Sequence, residues 1–529
     1  MGKTAVLVSY LAFTLAVAAQ QPRQLGHIDF PTSGSAAAQS HFIQGVLLLH
    51  SFEYDDSREE FQAASRIEPG FAMAYWGEAL TYTHPVWVEQ DATKAREALA
   101  RLAPTPAARL AKAPTEREKD YLRAVETLYG EGGKVERDLA YAEAMGRMHE
   151  KYPDDLEAAT LYAVALLGTC QHDRNYAVYM RAAAVAEEVF AKNPQHPGAA
   201  HYLIHAYDDP VHAPLGLRAA RVYAKIAGAA SHAQHMPSHI FIAMGMWDDV
   251  VSSNVASVAV ADERVARKGL TPDARNYHSL LWLEYAYLQE GRKEEAHGVL
   301  EDLARSAAQS GSSRALSHLG PMRAFYALET GEWDRLSGNF DLAKGGVMAA
   351  TAAAMAQGAV AVRQGRIEEG RKMLVQLRAN LSGRAPGVTA EAHHAGAMPA
   401  AAPPSGAPNN SKEAEIMAQQ LEAILLQAAG KRDEALQLLA GAAASEDALS
   451  FEFGPPMPVK PTHELWGEML LAAGRPREAR SEFERALAKC PKRALSLRGL
   501  AKAAAESGDP AAAQRARDDL KSFWHGEAL

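Results

Sequence analysis

Residues 201 to 208 read HYLIHAYD and residues 235 to 242 read HMPSHIFI, so His201 and His205 are matched by His235 and His239 after a step of 34 residues. Histidines four apart share one face of a helix, with Cβ atoms about 5–6 Å apart. Imidazole nitrogens bind zinc at about 2.0–2.1 Å, so two such pairs on helices packed about 8–10 Å apart could close on one ion. His232 lies three before His235, and Asp208 three after His205, extending the same two faces. The set His201, His205, Asp208, His232, His235 and His239 is therefore a candidate metal site. Five imidazoles with one carboxylate suit zinc, copper or iron better than magnesium or calcium. Asp208 could ligate directly, or accept an imidazole N–H and so fix which ring nitrogen is left bare. Pro237, inside HMPSH, is expected to kink the helix or mark a late start, which would turn His239 away from His235. Without a metal, the same residues would make a polar or pH-responsive surface.

The elements that must carry these histidines are helices. Alternating β-branched runs are missing, while Ala, Leu, Glu and Arg fill long helix-compatible segments. The clearest unit is LWGEMLLAAGRPREARSEFERALAKCP, in which a helix ends at Gly474 and a second carries Ala479, Phe483 and Ala486 on one face before Pro491. This unit resembles the tetratricopeptide repeat, a helix-turn-helix module of about 34 residues. Trp466-Gly467 and the Gly474 turn occupy that family's small and turn positions. Similar turns recur at Gly245, Gly291, Gly331, Gly365, Gly430 and Gly508, at steps of 46, 40, 34, 65, 44 and 34 in chain order with Gly474 included. The segment from Phe52 to Tyr82 supplies an N-terminal example. The expected fold is all-α, an α-α superhelix of tetratricopeptide-like pairs.

The turns give the histidines a phase. His239, His235 and His232 stand six, ten and thirteen residues before Gly245, and His205 and His201 stand six and ten before Val211, the slot one repeat earlier. His278 and His318 each stand thirteen before their own turn glycines, Gly291 and Gly331. The resemblance implies that this stripe faces a concave groove, while Tyr207 and Phe241 hold the packing position. Glu78 and Glu468 share the six-before slot in distant repeats. His84 in THPVW and His172 in CQHDRNY lie in loop-like stretches that could approach the groove end. Met236, Met244 and Met246 would add softness for copper, although helix methionines usually pack. His41, His50, His149, His196 and His212 show no coherent phase.

The 529 residues, 48% hydrophobic and 22% charged, suffice for a large core, and a net charge of -9 with no dense basic block argues against nucleic acid. Residues 1–19 have the build of a signal peptide, with Lys3, an apolar run from Ala5 to Val17 and small residues up to Ala19. They predict an exported protein, periplasmic or secreted, with no stable membrane anchor. Cys170 and Cys490 are the only cysteines and build no disulfide framework. The expected organisation is the solenoid over 20–383, a flexible Ala/Pro/Gly linker over 384–412 holding His393 and His394, and C-terminal repeats over 413–529. Functionally, the chain reads as an exported solenoid binding a transition metal, and an open coordination position would make it a metalloenzyme. The competing readings are a non-catalytic scaffold holding a peptide or partner protein in its groove, and a carrier of a small molecule.

Overall fold

The computed structural model describes residues 24–170, 173–382 and 410–527. The described chain is a run of antiparallel helix pairs, interrupted by one two-residue β ladder joining Thr83–His84 to Glu89–Gln90. The signal peptide, His172, His393, His394 and positions 384–409 of the expected linker lie outside the described residues. Residues 410–412 already belong to the helix Asn410–Ala428, so the stretch expected as linker ends before 410. No helix among the described residues is long and apolar enough to cross a membrane.

Each turn marked in the sequence is built the same way. Gly245, Gly291, Gly331, Gly365, Gly430, Gly474 and Gly508 all have positive φ, between 64° and 84°, where a side chain would be strained. After most of them the chain reverses through a bond back to the preceding helix, such as Met246 N–H to Phe241 C=O at 2.8 Å and Arg475 N–H to Leu470 C=O at 2.9 Å. Packing within the pairs follows from small residues set against an aromatic ring. A Cβ added at Gly77 would fall 2.2 Å from the Phe61 ring, and one at Gly499 would fall 2.2 Å from the Phe483 ring. The first and last parts of the array thus use one device: glycine lets neighbouring helices close onto a buried phenylalanine.

The helices around the histidines are α1 (Ala36–His50), α2 (Pro197–Tyr207), α3 (Ser231–His235), α4 (Pro237–Ala243), α5 (Trp247–Lys268) and α6 (Tyr277–Gln289). The C-terminal repeats fold back onto these helices. Trp247 Nε1 donates to Lys492 C=O at 3.0 Å, Arg493 Nη1 donates to the Tyr285 hydroxyl at 2.8 Å, and His525 N–H donates to Glu290 C=O at 2.8 Å. One continuous apolar core consequently runs from Leu25 to Phe523. The segment between Ala448 and Thr462 crosses the inner side of α4 and α6, with Gly454 pressed against Trp282.

Replacing Phe483 by Ala should cost about 3–5 kcal/mol in its helix pair. Hydrogen exchange should then show faster opening of Pro476–Lys489 and Ala494–Glu506, while the helices around Phe61 keep wild-type protection.

Candidate metal centre

His196 caps α2: its side chain accepts the Ala199 N–H at 3.3 Å, and Pro197 starts the helix where no backbone donor is needed. From that start, His201 and His205 share one face, and Asp208 follows at the C-terminal end. The second pair sits on α3 and α4. Met236 between them keeps right-handed helical angles (φ -53°, ψ -37°), and Pro237 becomes the first residue of α4. The chain therefore breaks one hydrogen bond without changing course. The expectation that Pro237 turns His239 away from His235 is corrected by the geometry, since their Nε2 atoms are 3.2 Å apart.

The imidazoles converge in two groups. In one, His201, His205 and His232 each bring a ring nitrogen within 4.8 Å of the others; in the second, His235, His239 and His278 do the same. His205, Asp208 and His239 form a third such group linking the two. Across the first group, His201 Nε2 faces His232 Nε2 at 3.1 Å.

Hydrogen bonds on the far side of these rings decide which nitrogens are bare. His201 Nδ1 faces the His50 carbonyl oxygen at 2.7 Å, so Nδ1 carries the proton. His235 Nδ1 faces Asn254 Oδ1 at 2.7 Å, and that amide is oriented by its Nδ2 donating to Val250 C=O at 2.8 Å. His239 Nδ1 faces Asp208 Oδ2 at 3.1 Å. Neutral rings donating from Nδ1 have a lone pair at Nε2. His235 and His239 thus point two lone pairs at each other at 3.2 Å. With metal–nitrogen bonds of about 2.0–2.1 Å, neighbouring ligand atoms stand about 2.9–3.4 Å apart, so the spacing fits an edge of a coordination shell. His205 Nε2 is buried and has no hydrogen-bond partner among the described residues.

Charge and burial keep the rings neutral. Burial, followed by repulsion from neighbouring imidazoles, pushes His201, His232, His235 and His278 well below the ordinary histidine range. Burial also lowers His239, opposed by Asp208. Burial alone would raise Asp208, but Arg174, whose Nη1 lies 2.7 Å from Oδ1, and the bond from His239 hold the carboxyl well below the usual range. Asp208 therefore acts as the anionic acceptor that orients His239, one of the two roles its sequence position allowed.

Aromatic rings wall the site. Phe52, held at φ 54° just beyond α1, has its ring centroid 4.3 Å from His201 and 5.5 Å from His232. Trp282 stacks 4.7 Å from His239, and Phe453 lies 4.6 Å from the same ring. The groove anticipated on this face is consequently covered: His201, His205, His232, His235 and His239 are each at most 4% exposed. Beside Asp208 a cavity of about 180 Å³ remains, lined also by Trp247, Tyr285, Glu413, Phe453 and His463.

The other candidates separate from this centre. His318 Nδ1 donates to Arg314 C=O at 2.9 Å, and its ring stands 6.5 Å from that of His278, outside both groups. His84 packs 4.1 Å from the Tyr54 ring and faces Glu89 at 3.1 Å. Glu78 is paired with Arg101, and Glu468 with Lys460 at 2.8 Å. Helical phase gives no sign of Phe52, Asn254, Arg174, Phe453 and His50, which come from other segments. Trp282 was within reach of it, four residues after His278 on the same face. His50 and His196, which had no phase, meet at Glu157: His50 Nε2 is 2.7 Å and His196 Nε2 3.0 Å from its two oxygens. His50 Nδ1 also faces the Tyr202 hydroxyl at 3.0 Å, so this buried network is fully engaged and serves to hold the His50 carbonyl under His201.

No family model and no curated protein matches the sequence. Among solved structures the chain is similar to yeast Tom70 (12% identity, 91% of this chain and 99% of that chain covered, TM-score 0.33). It is also similar to a monomeric mutant of IFIT1 with Gppp-AAAA (10%, 93% and 96%, 0.38) and to a Rap protein complexed with competence and sporulation factor (15%, 66% and 98%, 0.35). The repeat architecture rests on the chain's own glycine turns and helix pairs.

Below about pH 6.5 the unfolded chain protonates histidines that the folded chain keeps neutral, so the unfolded state binds more protons and stability rises with pH. In chelator, urea unfolding at pH 5.5 should need less denaturant than at pH 7.5. A His201→Gln/His235→Gln variant should show a shallower pH dependence, and equal slopes would refute the buried neutral cluster.

Proposed function

We propose that this protein binds a transition metal ion through the imidazole Nε2 atoms of its central histidines. The observation that carries this reading is the His235–His239 pair. Both rings spend their Nδ1 protons on Asn254 and Asp208, leaving two lone pairs in contact inside an apolar enclosure. Lone pairs so placed repel, and a cation between them converts that repulsion into two bonds. The same logic extends to His201, whose bare nitrogen faces His232, and to the unpartnered Nε2 of His205.

The donor set supports an ion that prefers imidazole, such as zinc, copper or iron. Bound there, the ion would supply a Lewis-acidic or redox centre, while Asn254, Asp208 and the His50 carbonyl hold the ring orientations. A scaffold that uses these histidines to grip an extended peptide is less well supported, because Phe52, Trp282 and Phe453 cover them. The leader-like residues 1–19 support a second element of the proposal, that the chain is exported and cleaved after Ala19.

Elemental analysis of untagged protein, purified without a metal column, should find stoichiometric metal in the wild type and a large loss in His201→Ala/His235→Ala. Equal, negligible metal in both would end the metal reading. Intact mass of full-length chain expressed in a bacterium with a secretory pathway should give a mature form beginning at Gln20; an uncleaved form confined to the cytoplasm would refute export.

A further inference from the structure

We infer that the centre holds not one ion but two, a copper pair in which His201, His205 and His232 bind one ion and His235, His239 and His278 bind its neighbour. The inference rests on the metal-binding reading and goes beyond it in number, ligand assignment and metal.

Two ligands of one ion cannot stand farther apart than twice the bond length, about 4.2 Å for imidazole nitrogen. Among the described residues, two groups of three imidazoles bring their nitrogens within 4.8 Å of one another and share no residue, and across the boundary a ring nitrogen of His205 and one of His239 come within the same distance of each other and of Asp208. Each trio already contains a nitrogen–nitrogen contact of coordination-edge length, 3.1 Å for His201–His232 and 3.2 Å for His235–His239. A single ion placed in either would leave the three imidazoles of the other without a partner ion.

The two trios also adjoin each other. Asp208 Oδ2 accepts from His239 Nδ1 at 3.1 Å and stands 3.7 Å from His205 Nδ1, so one carboxylate adjoins a ring in each trio. The rings meet across the boundary, with centroids 5.5 Å apart for His205–His239 and 6.2 Å for His232–His235. Two ions bound in these trios would be close neighbours. Each would have three protein ligands.

Charge bears on which metal fits. Six neutral imidazoles supply none, and Asp208 is already matched by Arg174 at 2.7 Å. Burying a divalent ion costs about four times as much Born energy as burying a monovalent one of the same size, because the cost grows as the square of the charge. Copper prefers imidazole and has an accessible monovalent state, so it meets both conditions.

The test uses full-length protein produced in copper-supplemented medium and desalted. The wild type should retain two copper ions per chain. His278→Ala, at a half-buried position, and His232→Gln in the other trio should each retain one. After oxidation to copper(II), the wild-type electron paramagnetic resonance signal should be broadened or lost through coupling between neighbours. Each variant should show the resolved spectrum of an isolated ion. One copper per chain in the wild type, two in both variants, or zinc retained with no copper would each overturn the pair while leaving metal binding in place. No retained metal of any kind would overturn both.

Discussion

Imidazoles in water always have a partner for each ring nitrogen, and burial removes that partner unless the protein replaces it. The centre of this molecule depends on how the replacement is made. His201, His235 and His239 are satisfied at Nδ1 by a carbonyl, an amide and a carboxylate, and left bare at Nε2. Each outer bond removes the freedom of a ring to flip or change tautomer, so the inner nitrogens are aimed before any ion arrives. The cost is a set of unsatisfied buried acceptors, which a fold tolerates only where something else compensates them.

The surrounding structure follows from that cost. The carbonyl under His201 belongs to His50, itself fixed by Glu157, and Glu157 is fixed in turn by His196, which caps the helix bearing His201 and His205. The network thus returns to the element it supports. Phe52 completes the wall from a left-handed backbone position that a phenylalanine adopts only when its neighbours hold it there. On the opposite side, Phe453 and Gly454 close against His239 and Trp282 because the C-terminal repeats fold back. Closure converts an open repeat surface into a low-dielectric chamber, where both the repulsion between lone pairs and the attraction for a cation are strengthened.

Much of this was legible in the sequence. The turn glycines at Gly245, Gly291 and Gly331 named helix ends, since a left-handed residue is needed where the chain reverses, and counting back from them put His201, His205, His232, His235, His239 and His278 on one inner surface. Periodicity could do this because helical spacing is local geometry. Pro237 misled for a local reason too: proline at the first position of a new helix removes a bond but keeps the direction, so the HMPSH pair stays aligned. Glu78, His84 and His318 satisfied spacing or proximity rules and still took other partners, because a phase says which face a residue occupies and not what stands opposite.

The sequence by itself determined the helices, their pairing and the single face on which the histidines line up, all consequences of residue spacing within one repeat. Only the tertiary structure decided that the face is enclosed, that the donors divide into two trios, and that Asn254, Asp208 and the His50 carbonyl hold the protons. The reason is physical: coordination and tautomer are set by atoms within about 3 Å of each ring, and here those atoms come from segments tens to hundreds of residues away in the chain, such as Asp208 against His239 and His50 beneath His201.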